Sequence, residues 1–177
     1  MPVETLNYLL ALGTLAMLVV TAGFLVVYVL RARFPDLQDI VAPFEKWGIQ
    51  IGLVLSLAGV FFTLYYSEVL GFEPCFLCWW QRVFLYPQVL IFWLATIKPE
   101  LKNSAALYSF WLSAIGACFA IYHHVLQVFP ASHLPCSANG PSCAKITFIE
   151  FGFITYPMMA LALFALLMIL TRFMQKK

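Results

Sequence analysis

Two cysteines separated by two residues lie between two long apolar stretches, in residues 74–82 (PCFLCWWQR). Thiols at this spacing can close a small disulfide ring and reopen it, which favours a redox pair over an inert staple. If a helix starts near Cys78, the positive end of the helix dipole stabilises a thiolate at that sulfur. Arg82, four residues further on, then lies on the same face about one turn deeper. The stretch therefore predicts a redox-active dithiol close to a cation.

The depth of Arg82 in an apolar segment itself indicates a function. A cation in a membrane helix costs on the order of 2.5–3.5 kcal/mol at the bilayer centre, and less near the surface. Such a charge is by default a functional candidate. The alternative is that Arg82 extends to the lipid headgroups and takes no part in the chemistry.

A second cysteine pair, Cys136 and Cys143, lies in a polar loop at residues 130–145 that is too rich in Pro and Gly to be a helix. Disulfide exchange needs in-line attack of a thiolate on a disulfide sulfur, so a loop that can move suits an exchanging pair. The two pairs together predict a thiol relay. Two alternatives stay open: the loop pair is a static staple, or all four thiols hold a structural zinc ion.

Electrons that reach the inner pair need an acceptor. Nothing in the sequence resembles a haem or flavin site. A quinone beside Cys78 and Arg82 is the simplest acceptor, because it needs an apolar slot and a polar donor for its carbonyl oxygen. The neighbouring His123 and His124 point about 100° apart on a helix, so at most one faces such a slot, and a packing role is the alternative. Cys118, among small residues, is expected to be inert.

The composition predicts an all-α integral membrane protein that forms one compact helical unit. The 177 residues are 63% hydrophobic and only 10% charged, which is too little charge for the surface of a soluble domain. The net charge of +2 does not indicate nucleic-acid binding, because the basic residues are scattered at segment ends and form no patch.

Five apolar stretches are each long enough to cross about 30 Å of hydrocarbon as a helix. They are predicted at about 6–30, 48–70, 78–97, 104–129 and 148–174. The first lacks the basic start of a cleaved signal peptide, so we expect it to be retained. Residues 34–47 are expected to form a linker or a short amphipathic helix along the interface. Pro87 and Pro157 are expected to kink the third and fifth helices.

The basic residues predict the topology. Those between spans one and two, between spans three and four, and after span five all fall on one side of the membrane: Arg31, Arg33, Lys46, Lys98, Lys102, Arg172, Lys176 and Lys177. By the positive-inside rule, this side is cytoplasmic. The N-terminus and both cysteine pairs then share the outer face, where disulfides persist.

These motifs together resemble the DsbB family of membrane disulfide-forming proteins, most closely its short-loop branch often called BdbC. The resemblance rests on CFLCWWQR at 75–82 with Tyr86-Pro87, on YHHVLQVFP at 122–130, on the Cys136/Cys143 loop and on FGFITYP at 151–157. It covers about residues 48–174. It implies a four-helix transmembrane domain at 48–177, preceded by one extra transmembrane helix and a linker at 1–47.

The resemblance also implies a reaction. A reduced, secreted thioredoxin-like partner of the DsbA type attacks the outer disulfide at Cys136. The freed Cys143 then attacks Cys75, and Cys78 is released as a thiolate beside a quinone that takes two electrons.

The acceptor site follows from the same resemblance. Arg82 and His124, in preference to His123, are implied to flank the quinone, which is ubiquinone or menaquinone. The implied location is a bacterial cytoplasmic membrane, and no metal is implied.

Two other functions stay open at this point. A vitamin-K-epoxide-reductase-like enzyme would catalyse the same class of reaction on a different helix arrangement. A non-catalytic membrane scaffold would use the cysteines as structural disulfides or as zinc ligands.

Overall fold

The structure is a computed structural model that describes residues 2–31, 33–34, 37–129, 136 and 141–175. Lys176, Lys177 and most of the predicted polar loop, at 130–135 and 137–140, lie outside these ranges. The described chain forms five α-helices: α1 (Val3–Leu30), α2 (Leu37–Leu64), α3 (Phe76–Ile97), α4 (Lys102–Val128) and α5 (Tyr156–Met174). The described residues contain no β-strand, only one antiparallel bridge between Glu150 and Ile154. The all-α prediction is confirmed.

Among the described residues, four segments are long and apolar enough to cross a membrane: Val3–Leu30, Asp39–Val69, Pro99–Val128 and Tyr156–Met174. The second of these includes α2 and a π-helical turn at Tyr65–Val69. The helix α3 has 22 residues and is about 33 Å long. It is not among the four by hydropathy, because it carries the polar residues Gln81, Arg82 and Gln88. The chain is a multi-pass membrane protein, as its composition predicted.

Successive helices pack side by side and form a four-helix bundle. The pairs α2–α3, α3–α4 and α4–α5 are in contact, and α5 also packs on α2, which closes the bundle. The helix α1 lies outside it, along α5. Near the start of α1, Asn7 accepts a hydrogen bond from Tyr66, which follows α2. The start of α1, the end of α2 and the start of α3 therefore share one end of the bundle, named here the cysteine end.

Close helix packing depends on glycines that face aromatic rings. A Cβ on Gly52 of α2 would lie 2.6 Å from the ring of Phe92, and one on Gly116 of α4 would lie 2.5 Å from the ring of Phe164. Both rings are fully buried. In lipid, van der Waals packing of this kind holds helices together, since lipid tails are as apolar as the side chains.

A polar contact joins α3 to α4 inside the bundle. The buried Gln88 accepts hydrogen bonds at Oε1 from Ser109 at 2.6 Å and from Ser113 at 3.2 Å. Its Nε2 donates to the carbonyl of Phe84. Each interhelical hydrogen bond in a membrane protein contributes about 0.6 kcal/mol on average, so the cluster mainly sets the register of the two helices.

The structure corrects the predicted start of the second helix. The helix α2 begins at Leu37 and runs through Pro43, so most of the predicted linker at 34–47 is helical. Membrane proteins tolerate a proline in a helix where neighbouring groups satisfy the freed carbonyl. The predicted boundary between residues 47 and 48 falls inside this helix, and the division of the chain there stays a prediction.

The structure also corrects the start of the fifth helix. The chain turns tightly at Phe151 and Gly152, whose φ angles are 53° and 78°, so α5 begins only at Tyr156. Pro157 lies in the first turn of α5, where its missing N–H would have no partner in any case. It therefore starts the helix and does not kink it. Pro87 lies inside α3, as predicted.

We predict that Gly116→Leu lowers the free energy of unfolding by about 1–3 kcal/mol, because the new side chain must displace the Phe164 ring. Unfolding by sodium dodecyl sulfate in mixed detergent micelles measures the change. Gly23→Leu is the matched control, since a Cβ there meets nothing within 4 Å and the effect should stay within about 0.5 kcal/mol. Equal stability of Gly116→Leu and the parent would contradict the close contact.

Candidate functional site

The inner cysteine pair lies at the first turn of α3. The two Sγ atoms, both thiols, are 3.1 Å apart, so a disulfide between them needs little movement. The helix begins at Phe76 with Cys75 as its N-cap, and the backbone N–H of Cys78 donates to the Cys75 Sγ at 3.4 Å. The positive helix end therefore acts on the sulfur of Cys75, whereas the sequence predicted that it would act on Cys78.

His123, near the end of α4, lies between the two cysteine pairs. Its Nε2 is 3.6 Å from the Sγ of Cys75 and 3.2 Å from the carbonyl oxygen of Cys143. Its Nδ1 is 3.1 Å from the Nε2 of Gln81. An amide nitrogen only donates, so Nδ1 accepts and the proton of the neutral ring is on Nε2. His123 therefore donates towards the Cys75 sulfur and the Cys143 carbonyl.

These contacts lower the pKa of Cys75 from its ordinary 9.0 to about 4. The largest cause is the hydrogen bond from the Cys78 thiol, and His123 adds a second hydrogen bond. Burial acts in the opposite direction, because it disfavours the charged sulfur. The arrangement thus stabilises a thiolate at Cys75 at neutral pH.

The outer pair, Cys136 and Cys143, is joined by a disulfide. Cys143 is 1% exposed and packs in one cluster with Cys75, Leu77 and Leu126. Cys136 is partly exposed. The two pairs therefore meet at the cysteine end, with Cys136 as the more accessible sulfur of the outer disulfide.

Arg82 points into the bundle and is only 7% exposed. Its Nη2 donates to the carbonyl oxygen of Thr63 at 2.8 Å, and its guanidinium carbon lies 5.2 Å from the centre of the Trp79 ring. Thr63 comes just before the π-helical turn at Tyr65–Val69, and such turns are frequent at functional sites. The alternative in which Arg82 extends to the headgroups does not fit this burial.

A cavity of about 660 Å³ lies beside Cys75, Cys78 and Arg82. Ligand pockets measure about 300–1,000 Å³ and are mostly apolar with a few polar groups. This one is lined mainly by apolar side chains of α1, α2 and α5. The ring of Tyr156, which also lines it, packs edge-on against Tyr66. The buried Tyr156 hydroxyl lies beside the Tyr66 hydroxyl and interacts with it.

The structure does not bring His124 to this cavity. Its Nδ1 lies 3.4 Å from the hydroxyl of Thr155, and it is His123 that lines the cavity. His123, and not His124, belongs to the buried face of α4, whose residues recur at helical spacing. They are Ser109, Ser113, Gly116, Ala117, Ala120, His123 and Gln127. Gln81, which orients His123, received no role from the sequence. Cys118 is exposed on the outside of the bundle.

Comparisons with known proteins point to one family. The profile of the family described as "Disulfide bond formation protein DsbB" matches residues 45–174. The "SPbeta prophage-derived disulfide bond formation protein B" of Bacillus subtilis is 41% identical over 113 residues, 64% of this chain and 75% of that protein. The "Probable disulfide formation protein C 1" of Bacillus anthracis is 39% identical over 125 residues, 68% of this chain and 81% of that protein. No solved structure matches the chain significantly.

We predict that alkylation of reduced Cys75 stays near its maximal rate at neutral pH and slows only in acid, because the thiolate persists down to the lowered pKa. His123→Ala should raise the midpoint by about 1 pH unit, since a hydrogen bond to a charged group contributes about 1.5 kcal/mol. Site-resolved mass spectrometry of iodoacetamide-treated protein measures the rates.

His124→Ala is the control for this prediction, because that ring contacts Thr155 instead of a cysteine. Its midpoint should equal that of the parent. The same shift in both variants, or in neither, would contradict the contact between His123 and Cys75.

Proposed function

Because the chain belongs to the DsbB family of disulfide bond formation proteins, and is thus a disulfide-forming thiol:disulfide oxidoreductase of a membrane, we propose its electron path. A secreted thioredoxin-like dithiol of the DsbA type supplies two electrons, and a membrane quinone, ubiquinone or menaquinone, accepts them. The observation that carries the proposal is the single cluster of Cys75, Cys78, His123 and Cys143 against one cavity. The proposed location is a bacterial cytoplasmic membrane, with the cysteine end outside.

The first proposed step is exchange at the outer disulfide. A thiolate of the partner attacks the Sγ of Cys136, and Cys143 leaves as a thiolate when the S–S bond breaks. The exposure of the two residues supports this direction, because Cys136 is partly exposed and Cys143 is buried. The second thiolate of the partner then attacks the mixed disulfide, so the partner leaves oxidised and the outer pair is left reduced.

The second proposed step passes the electrons inward. The Cys143 thiolate attacks Cys75 of an oxidised inner pair, and the bond to Cys78 breaks. Cys136 then attacks Cys143 in the mixed disulfide, which restores the outer disulfide and leaves the inner pair as two thiols. His123 assists by donating from Nε2 to negative charge on Cys75 and by holding the Cys143 backbone.

The residues around the cavity fit a quinone, which when bound supplies an acceptor for two electrons and two protons. The Tyr156 hydroxyl, buried beside that of Tyr66, can donate to a carbonyl oxygen. Arg82 brings a positive charge held by Thr63 and packed on Trp79. The apolar side chains that line most of the cavity exclude water. In this proposal His123 takes the position beside the cavity for which the resemblance favoured His124.

A zinc-holding scaffold is the second candidate function, and one observation favours it. The ligand atoms of Cys75, Cys78 and His123 lie within 4.8 Å of one another, a spacing that a zinc ion can bridge. The outer cysteines are bonded to each other, so they do not complete a four-thiolate site in this state. Release of zinc on alkylation of the purified protein would support the scaffold.

Mass-tag trapping of thiols tests the proposed electron path. A reduced thioredoxin-fold dithiol should open the cysteine pairs of the purified protein, and ubiquinone-1 or menadione should close them again. Cys143→Ser should block the transfer, because no sulfur then links the outer pair to the inner pair. Cys118→Ala is the control and should turn over like the parent. Thiol occupancy that neither reagent changes would refute the path.

Arg82→Gln should raise the KM for ubiquinone-1 by about 10- to 100-fold, because a hydrogen bond from a charged group contributes about 1.5–3 kcal/mol. Opening of the outer disulfide by the dithiol should keep its parent rate. Arg172→Gln is the matched control. Arg172 is in the last turn of α5, away from the cysteines, and its guanidinium stacks on the ring of Phe110 of α4. An unchanged KM in Arg82→Gln would remove Arg82 from the acceptor site.

A further inference from the structure

The helix α1 lies outside the four-helix bundle and nevertheless lines the cavity beside the cysteines. Four of its lining residues follow the spacing i, i+3, i+4, i+7, which places them on one helix face. They are Leu10, Gly13, Thr14 and Met17. Most of the other lining residues come from α2, α3 and α5. Without α1, one side of this cavity would have no protein wall.

Contacts near both ends of this face hold α1 in place. At the cysteine end, Tyr66 donates a hydrogen bond to Asn7. Further along, the rings of Phe24 and Phe44 meet edge to face, with their centres 4.5 Å apart. Between these contacts both α1 and α2 line the cavity. The helix α1 thus contacts the bundle on both sides of the residues that line the cavity.

The face of α1 that lines the cavity is apolar. The hydroxyl of Thr14 donates to the carbonyl of Leu10 at 2.8 Å, so its polar group is already satisfied inside α1. Gly13 has no side chain, and a Cβ built there meets nothing within 4 Å. Gly13 also lines the cavity, and no side chain of the fold needs the space next to it for packing.

We infer that α1 is a structural part of the acceptor site and that Gly13 determines how large an acceptor fits. The inference rests on the proposed function, because the occupant is the quinone that receives the electrons. A side chain at position 13 would take up room that the ring or the first isoprene unit of the quinone needs. Gly13 is in this sense a specificity-determining residue contributed by a helix outside the bundle.

A series at position 13 tests the inference in the purified full-length chain. Quenching of tryptophan fluorescence reports equilibrium binding of ubiquinone-1 and of menadione, since Trp79 packs on the Arg82 side chain that lines the cavity. The Kd for ubiquinone-1 should rise in the order Gly13→Ala, Gly13→Leu, Gly13→Phe, and by at least about tenfold for Phe. Menadione, which lacks an isoprene tail, should lose less affinity, so the ratio of the two Kd values should change.

Gly23→Phe is the matched control. Gly23 lies on the same helix, a Cβ there also meets nothing within 4 Å, and the residue does not line the cavity. Its Kd values should stay within about twofold of the parent. Unfolding by sodium dodecyl sulfate should give every variant a free energy within about 1 kcal/mol of the parent, which shows that each one is folded.

The outcomes separate this inference from the proposed function. If the parent binds ubiquinone-1 and Gly13→Phe binds it equally well, α1 is not part of the site and the inference is overturned, while the electron path stands. If Gly23→Phe loses as much affinity as Gly13→Phe, the effect is not local and the inference is also overturned. If the parent neither binds nor is reoxidised by either quinone, the proposed function itself fails.

Discussion

The hydrogen bonds of one histidine connect the parts of the site. His123 receives a hydrogen bond from Gln81 of α3 and directs its own N–H towards Cys75 and towards the backbone of Cys143. The inner cysteines come from the start of α3, and Cys143 comes from the loop before α5. These segments are far apart in the sequence, so their meeting depends on the end of α4 carrying this ring between them. The same contacts set the tautomer of the ring and favour a thiolate at Cys75.

The rest of the DsbB-type bundle holds that arrangement in surroundings where an unpaired polar group is costly. Arg82 is paired with a backbone carbonyl beside a π-helical turn. Gln88 is paired with two serines of α4. Glycines packed against Phe92 and Phe164 bring the helix axes close. The register of α3 against α4, which aligns Gln81 with His123, is therefore fixed by contacts deeper in the bundle.

The sequence predicted most of the fold and part of the site. Long apolar stretches and scattered charges were enough for the five helices, because helix formation in a membrane follows from local composition. The start of α2 was missed, because Pro43 and several charges suggested a linker where the helix in fact continues. The start of α5 was missed because apolar residues in 148–155 form a tight turn that hydropathy does not distinguish from a helix. The choice between His123 and His124 depends on which face of α4 is buried. The resemblance favoured His124, whereas His123 is the histidine that lines the cavity.

The four cysteine sulfurs differ in their exposure, and this limits side reactions of the relay with small molecules. Cys75 and Cys143 are only 6% and 1% exposed. Cys136 and Cys78, at the two ends of the proposed path, are partly exposed, and Cys78 lines the cavity. Small thiols and oxidants in the surrounding fluid thus meet the relay at its entrance and not at its middle. Electrons that small thiols donate into the relay would consume the proposed acceptor without oxidising the partner. Burial of the Cys75 and Cys143 sulfurs by the helices themselves limits this loss.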